Sequence, residues 1–261
     1  MIRLLLLAQK VIGEKCFNIL QNYDSKEIEL IGVVSNTNPH VWWKSNQIYQ
    51  ECLKKNIYFI ANEQRNNDKI KNLIAEKSIN TIISVQHPWI IPNDILELVN
   101  YNAFNMHNAK LPEYKGYNAC NHSILNGEIS HFSTVHCMSN QVDMGAIIYE
   151  EETIINKEDT AFSLYNKTID TSQKMFIKLI NALINKDTLP KKEIIGEGKF
   201  YPRSSINKLR RIININDEIE VDKKSRAFFF PPFEPAYYEI SGKKIYILPN
   251  TFDYTYSLLD K

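Results

Sequence analysis

The chain opens on an apolar run, Ile2 to Ala8, interrupted only by Arg3. Apolar residues that do not alternate with polar ones describe a strand covered on both faces. Ile12, Cys16, Ile19 and Leu20 then recur at helical spacing and predict a helix over residues 12–22. The pattern repeats. Ile28 to Ser35 reads as a second strand, and Ser45 as the cap of a helix carrying Ile48, Tyr49, Cys52 and Leu53. Ile57 to Ile60 is a third strand, residues 66–77 a helix with Ile70, Leu73 and Ile74 inward, and Asn80 to Val85 a fourth strand. Such alternation predicts an α/β fold, a largely parallel sheet with helices on both faces. Residues 103–107 continue it. Asn118 to Leu125 predicts a short helix stopped by Asn126-Gly127, and Phe132 to Met138 and Ala146 to Tyr149 predict the last strands.

A long helix should start at Glu158-Asp159, with Asp159 as cap and Phe162, Tyr165, Ile169, Phe176, Ile180 and Leu183 on one face. Lys186 to Gly198 is polar and bears Pro190, which suggests a boundary between a first unit, residues 1–187, and a small second unit, residues 199–261. Asp217 to Phe228 has helical character, although Ile219 and Val221 alternate like a strand. Glu239 to Tyr246 reads as a β-hairpin turning at Ser241-Gly242. Between them, Arg226 to Tyr237 carries Phe228, Phe229, Phe230 and Phe233. That patch has three readings: a platform for a nucleotide base, a dimer contact, or ordinary core.

With 261 residues, a formal net charge of +1 and a pI near 7.6, the chain lacks the basic balance of a dedicated nucleic-acid binder. Its four cysteines form no C-x-x-C pair, and none has zinc-site spacing to the six histidines, so free thiols in a reducing cytoplasm and no metal are expected. Gln9-Lys10 ends the first apolar run too early for a leader peptide, and no run approaches the ~20 apolar residues of a membrane span.

The chemistry concentrates between Phe104 and Gly145. Asn105 and His107, two apart on a strand, project from one face. Asp143, in a turn before the next strand, is placed to return a carboxylate to the imidazole. An imidazole moves protons near neutral pH, a neighbouring carboxylate fixes its tautomer, and an Asn amide donates to an oxygen that gains negative charge. The set suits acyl transfer. No Ser or Cys stands beside the histidine as nucleophile, so the attacking group belongs to the substrate. No G-x-G-x-x-G follows the first strand, which argues against ordinary dinucleotide binding. Lys10 lies at that strand–helix junction, either to meet an anion or, as most lysines do, simply to be solvated. Trp42-Trp43 either covers a ligand or partner surface or folds onto the domain edge. Gln86 to Pro92 follows the fourth strand, on the side where ligands of open α/β sheets bind. His122, His131 and His136 read as structural or exposed.

Asn105-Met106-His107, Leu111-Pro112, Gly116, Asn126-Gly127-Glu128, Thr134-Val135-His136 and Asp143-Met144-Gly145 together resemble the folate-dependent formyltransferases. One departure is Ala109-Lys110 where that family often has Ser-Leu before Leu-Pro; it bears on subfamily, since the Asn105, His107 and Asp143 trio is intact. The resemblance implies a Rossmann-like domain with a mixed sheet plus a small C-terminal α+β unit with a hairpin. It implies 10-formyltetrahydrofolate as co-substrate, its pterin lined by Gln86, His87, Pro88, Trp89 and Ile90 on one side and Ser139 and Val142 on the other. The short tail and neutral charge fit nucleotide-sugar N-formyltransferases acting on dTDP-linked amino-dideoxysugars for surface polysaccharides. A sugar such as dTDP-4-amino-4,6-dideoxyglucose would meet Lys10, Tyr117, Asn118, Arg203, Phe230 and Tyr237. A homodimer is common among such enzymes. The alternatives are a methionyl-tRNA formyltransferase and a non-catalytic binding module.

Overall fold

The computed structural model describes residues 1–39, 42–63 and 65–250. Seven strands form one sheet in the order β3-β2-β1-β4-β5-β7-β8. The strands β1 (Ile2–Ala8), β2 (Ile28–Ser35), β3 (Tyr58–Ala61), β4 (Thr81–Val85) and β5 (Ala103–His107) are parallel. Antiparallel β7 (Ser130–Cys137) follows β5, and β8 (Ile147–Ile154) closes the edge against it. A two-residue strand β6 (Lys115–Gly116) lies outside this sheet.

The opening run behaves as a strand buried on both faces. Leu4, Leu6 and Ala8 enter one core with α1 (Lys10–Leu20) and α6 (Ala161–Asn185), while Leu5 and Leu7 enter another with α3 (Asn67–Lys77) and α4 (Asn93–Leu98). The larger core also holds Ile206, Ile212, Ala227, Phe228 and Ala236, so the C-terminal segment packs onto the same face.

Some boundaries differ from the expectation. Helix α1 begins at Lys10, two residues early, with Gln9 in extended backbone before it. Helix α2 (Gln47–Lys55) is capped at Asn46, and Ser45 Oγ accepts the Gln47 N–H at 3.2 Å. Helix α4 was masked in the sequence by its six-residue length. The edge strand β8 runs on to Ile154 because Glu150, Glu151 and Glu152 stand where one face meets solvent. Thr160, not Asp159, caps α6 in a reciprocal capping box with Ser163; Asp159 instead accepts the Asn156 N–H at 2.7 Å and pairs with Lys167 at 2.5 Å. Residues 218–227 are helical (α7, Glu218–Ala227), started by Asp217 accepting the Ile219 and Glu220 N–H groups, which overrides the strand-like alternation of Ile219 and Val221.

The hairpin is present as β10 (Ala236–Ile240) and β11 (Lys243–Ile247), with Ser241 and Gly242 both at positive φ. Helix α5 (Ala119–Asn126) stops at left-handed Gly127. The short strand β9 (Phe200–Tyr201) pairs with β6 and ties the C-terminal segment to the loop after β5. Both tryptophans face inward from an irregular loop. Trp43 is buried, and the Trp42 ring stands edge-on to Tyr165 at 5.3 Å and Phe230 at 5.1 Å.

Buried histidines give the fold a pH dependence. His131 accepts from Ser123 Oγ and donates to the Asn108 carbonyl, and burial pushes its pKa from 6.5 to about 4. Its folded pKa therefore lies below the unfolded one. The stability it contributes is complete above about 6.5 and is lost as pH falls toward 4, amounting to ~3 kcal/mol. His87 and His122 are lowered to about 4 in the same direction, chiefly by burial. Urea unfolding at pH 7 and pH 4.5 should show this loss; equal unfolding free energies would contradict it.

Candidate active site

The carboxyl end of β5 builds the site. Asn105 and His107 leave the strand on one face, and the antiparallel register sets His136 of β7 opposite Asn105. Asn105 Nδ2 lies 3.1 Å from His136 Nε2. His136 Nδ1 donates to the Cys137 carbonyl at 2.8 Å, and its Nε2 faces both the Asn105 amide and the Asp143 carboxylate. His107 Nε2 donates to the Tyr114 carbonyl at 2.8 Å, and its Nδ1 has no hydrogen-bond partner among the described residues. The neutral tautomer so fixed presents Nδ1 as the basic nitrogen.

Asp143 closes the cluster. Its Oδ2 is 3.6 Å from His107 Nε2 and accepts the Gly116 N–H at 2.9 Å, and its Oδ1 is 3.5 Å from His136 Nε2. The side chains of His107 and Asp143 are only 13% and 9% exposed. Burial pulls the Asp143 pKa upward, but the two imidazoles and the Gly116 amide outweigh it and hold the carboxyl well below the usual range. Asp143 is therefore an anion at all working pH values. The sequence placed His136 among structural or exposed residues; the structure shows it buried and in direct contact with Asn105.

Two glycines set this geometry. A Cβ on Gly145 would lie 1.8 Å from the Cys137 carbonyl oxygen, and one on Gly116 would lie 2.5 Å from the Tyr201 carbonyl at φ +90°. Gly145→Ala should push the Asp143 turn off the end of β7 and destabilise the fold by ~1–3 kcal/mol. Thermal melting checks this, and an unshifted melt would contradict it.

A second group gathers at the adjoining strand ends. Lys10 is not solvated as expected of a surface lysine: its Nζ donates to Gln86 Oε1 at 2.8 Å. Burial, then the nearby Arg203 guanidinium, lowers the Lys10 pKa to about 8. Arg203 stands 5.1 Å over the Tyr117 ring, Asn118 Nδ2 donates to the Arg203 carbonyl at 3.1 Å, and Tyr117 Oη donates to the Pro88 carbonyl at 3.4 Å. Gln86, Lys10, Tyr117, Asn118 and Arg203 are thus brought together. Lys10, Gln86, Asn118 and Asp143 all hold left-handed backbone, a conformation that costs non-glycine residues ~1–3 kcal/mol and gathers at functional sites.

In the loop after β4, His87 Nδ1 is buried without a hydrogen-bond partner, as is Asn62 Nδ2 at the end of β3. Trp89 Nε1 donates to the Asn62 carbonyl at 3.4 Å, and Ile90 is exposed. Ser139 Oγ binds within its own turn, donating to the Gln141 carbonyl at 3.0 Å, and Val142 adjoins Asp143. Phe230 and Tyr237 make their aromatic contacts elsewhere. Phe230 packs among Trp42, Tyr165, Phe162 and Phe233, and Tyr237 lies under Lys244 Nζ at 4.2 Å on the hairpin. Among the described residues, no three His, Cys, Asp or Glu side chains group as a metal site, and no helix is long and apolar enough to cross a membrane.

Residues 9–180 match the family described as Formyl transferase. GDP-perosamine N-formyltransferase of Brucella melitensis biotype 1 is 31% identical over 194 residues, covering 74% of this chain and 73% of that protein. The N-formyltransferase of Helicobacter canadensis, solved with folinic acid and dTDP-3-aminofucose, superposes with a TM-score of 0.74 at 27% identity, covering 94% of this chain and 86% of that one. WlaRD, a sugar 3N-formyl transferase solved in the presence of dTDP and 5-N-formyl-THF, gives a TM-score of 0.74 at 26% identity over 94% and 85% of the two chains.

Proposed function

This chain belongs to the formyl transferase family, and from that premise we propose that it moves the formyl group of 10-formyltetrahydrofolate onto the amine of a nucleotide-linked amino sugar. The observation that carries the reading is the buried Asn105–His107–His136–Asp143 cluster beside a pair of cations, Lys10 and Arg203. The residues fit a folate. The unpartnered His87 Nδ1 calls for a ligand whose edge carries donors and acceptors, as a pterin does. Gln86, His87, Pro88, Trp89 and Ile90 would hold it on one side, with Ser139 and Val142 on the other. The folate derivatives bound in two similar structures support this. When bound, it supplies the formyl carbon.

The residues divide the work. As the amine attacks, the formyl oxygen gains negative charge, and Asn105 Nδ2 donates to it with its free N–H. His107 takes the amine's proton at Nδ1 and returns it to the departing nitrogen. Asp143 stays anionic and orients the ring through the Nε2 side without acting as nucleophile.

For the acceptor, burial and, after it, repulsion from Arg203 lower the Lys10 pKa. An anion between Lys10 and Arg203 relieves that cost, which suits a sugar diphosphate. We take dTDP as the carrier, on the likeness to the two dTDP-bound relatives; GDP, as in the Brucella relative's name, is the second reading. Residues 199–250 would form the unit on the acceptor side, with residues 251–261 of that unit outside the described residues. A net charge of +1 argues against a tRNA acceptor. The test is a panel of dTDP-, UDP- and GDP-linked amino sugars with initiator methionyl-tRNA beside them, scored by product mass. A dTDP amino sugar should turn over fastest; methionyl-tRNA matching every sugar would overturn the assignment.

A further inference from the structure

A small cavity of about 80 Å³ is bordered by Tyr114, Ser123, Glu128 and His131. Tyr114 also reaches His107. Its backbone carbonyl accepts from His107 Nε2 at 2.8 Å. Its phenol donates to Glu128 Oε1 at 2.6 Å and accepts from Asn126 Nδ2 at 2.9 Å. The ring is buried and stacked on Tyr201, with centroids 5.6 Å apart and planes 9° apart. Tyr114 follows a proline-bearing loop; its N–H donates to the Lys110 carbonyl at 2.9 Å, and the Lys115 N–H, on the same peptide as the Tyr114 carbonyl, donates to the Lys199 carbonyl at 2.9 Å.

The geometry points to Tyr114 and Glu128 as positioning residues: their phenol–carboxylate bond fixes the carbonyl that holds His107 in the tautomer with Nδ1 facing the substrate. Neither side chain touches the reacting atoms. An imidazole ring is free to turn or change tautomer unless one nitrogen is pinned, and here the pin is a main-chain oxygen set on one side by the Lys115–Lys199 backbone bond and on the other by the anchored Tyr114 side chain. A charge-assisted bond of this length is among the stronger kinds of neutral-donor contact. The inference rests on the proposed role of His107 as proton carrier, but it makes a claim about the ring that is measurable without any substrate.

The experiment is nitrogen NMR of the full chain with labelled histidine, joined to steady-state kinetics. The wild type should show neutral His107 as the single tautomer protonated at Nε2. Tyr114→Phe and Glu128→Ala should each give a mixture of tautomers and lower kcat about tenfold or more, with KM for the folate little changed. Glu128→Gln, which keeps an acceptor oxygen, should restore both readouts. Glu128 is exposed, so its variants report even where Tyr114→Phe fails to fold. A single Nε2-protonated tautomer in the Glu128→Ala protein would overturn the inference. A mixed tautomer with undiminished kcat would uphold the positioning and overturn the role of His107 in proton transfer.

Discussion

His107→Ala should lower turnover about a hundredfold or more, ~3 kcal/mol in the barrier, while folate binding largely survives. The effect is this large because His107 carries the proton that must leave the amine and reach the departing nitrogen. The substitution removes the ring from beneath the Tyr114 carbonyl and from beside Asp143, yet His107 belongs to neither hydrophobic core cluster. The loss should therefore appear in kcat. Stopped assays with the natural acceptor, read by mass, decide the matter. Near-normal turnover would sink the mechanism.

Asp143→Ala has the second large effect, and it should fall on both rate and stability. The carboxylate faces two imidazoles and the Gly116 N–H, so its removal leaves that N–H and both rings without their anion. Turnover should drop about a hundredfold or more. Stability should also fall at pH 7, because a carboxyl held well below its usual range stabilises the folded state above that range and loses the contribution only in acid. Asp143→Asn keeps an acceptor for Gly116 and should recover much of the stability but not the rate. Because Asn105, His107 and Asp143 act on one step, their losses do not add, and the triple alanine variant should be little worse than its worst single member. Equal stability of Asp143→Ala and wild type would contradict the geometry.

The strands were legible because burial on both faces leaves an unmistakable run: Leu4 to Leu7 is wholly apolar, and Ile82 to Val85 is broken only by Ser84. Asn105 and His107 were legible from the two-residue period of a strand. His136 was not, because its place opposite Asn105 depends on the register of β5 with β7, which no local pattern states. Lys10 misled for a similar reason. Its ammonium is taken out of water by Gln86, 76 residues away, and by the Arg203 segment, contacts that exist only once the chain has folded. Asp159 had the right composition for a cap, but Thr160 stood one residue nearer the helix and took the role. Phe230 looked available for stacking on a base, yet Trp42 and Tyr165 already stand edge-on to it.

The central claim is a transfer of one carbon between two nitrogens within one site. It is tested most directly by supplying 10-formyltetrahydrofolate labelled in the formyl carbon together with a dTDP-linked amino sugar, and following the label by NMR. The label should appear as an N-formyl group on the sugar, at a rate lowered about a hundredfold or more by His107→Ala. Label that stays on the folate, or is released as formate with the sugar amine unchanged, would contradict it.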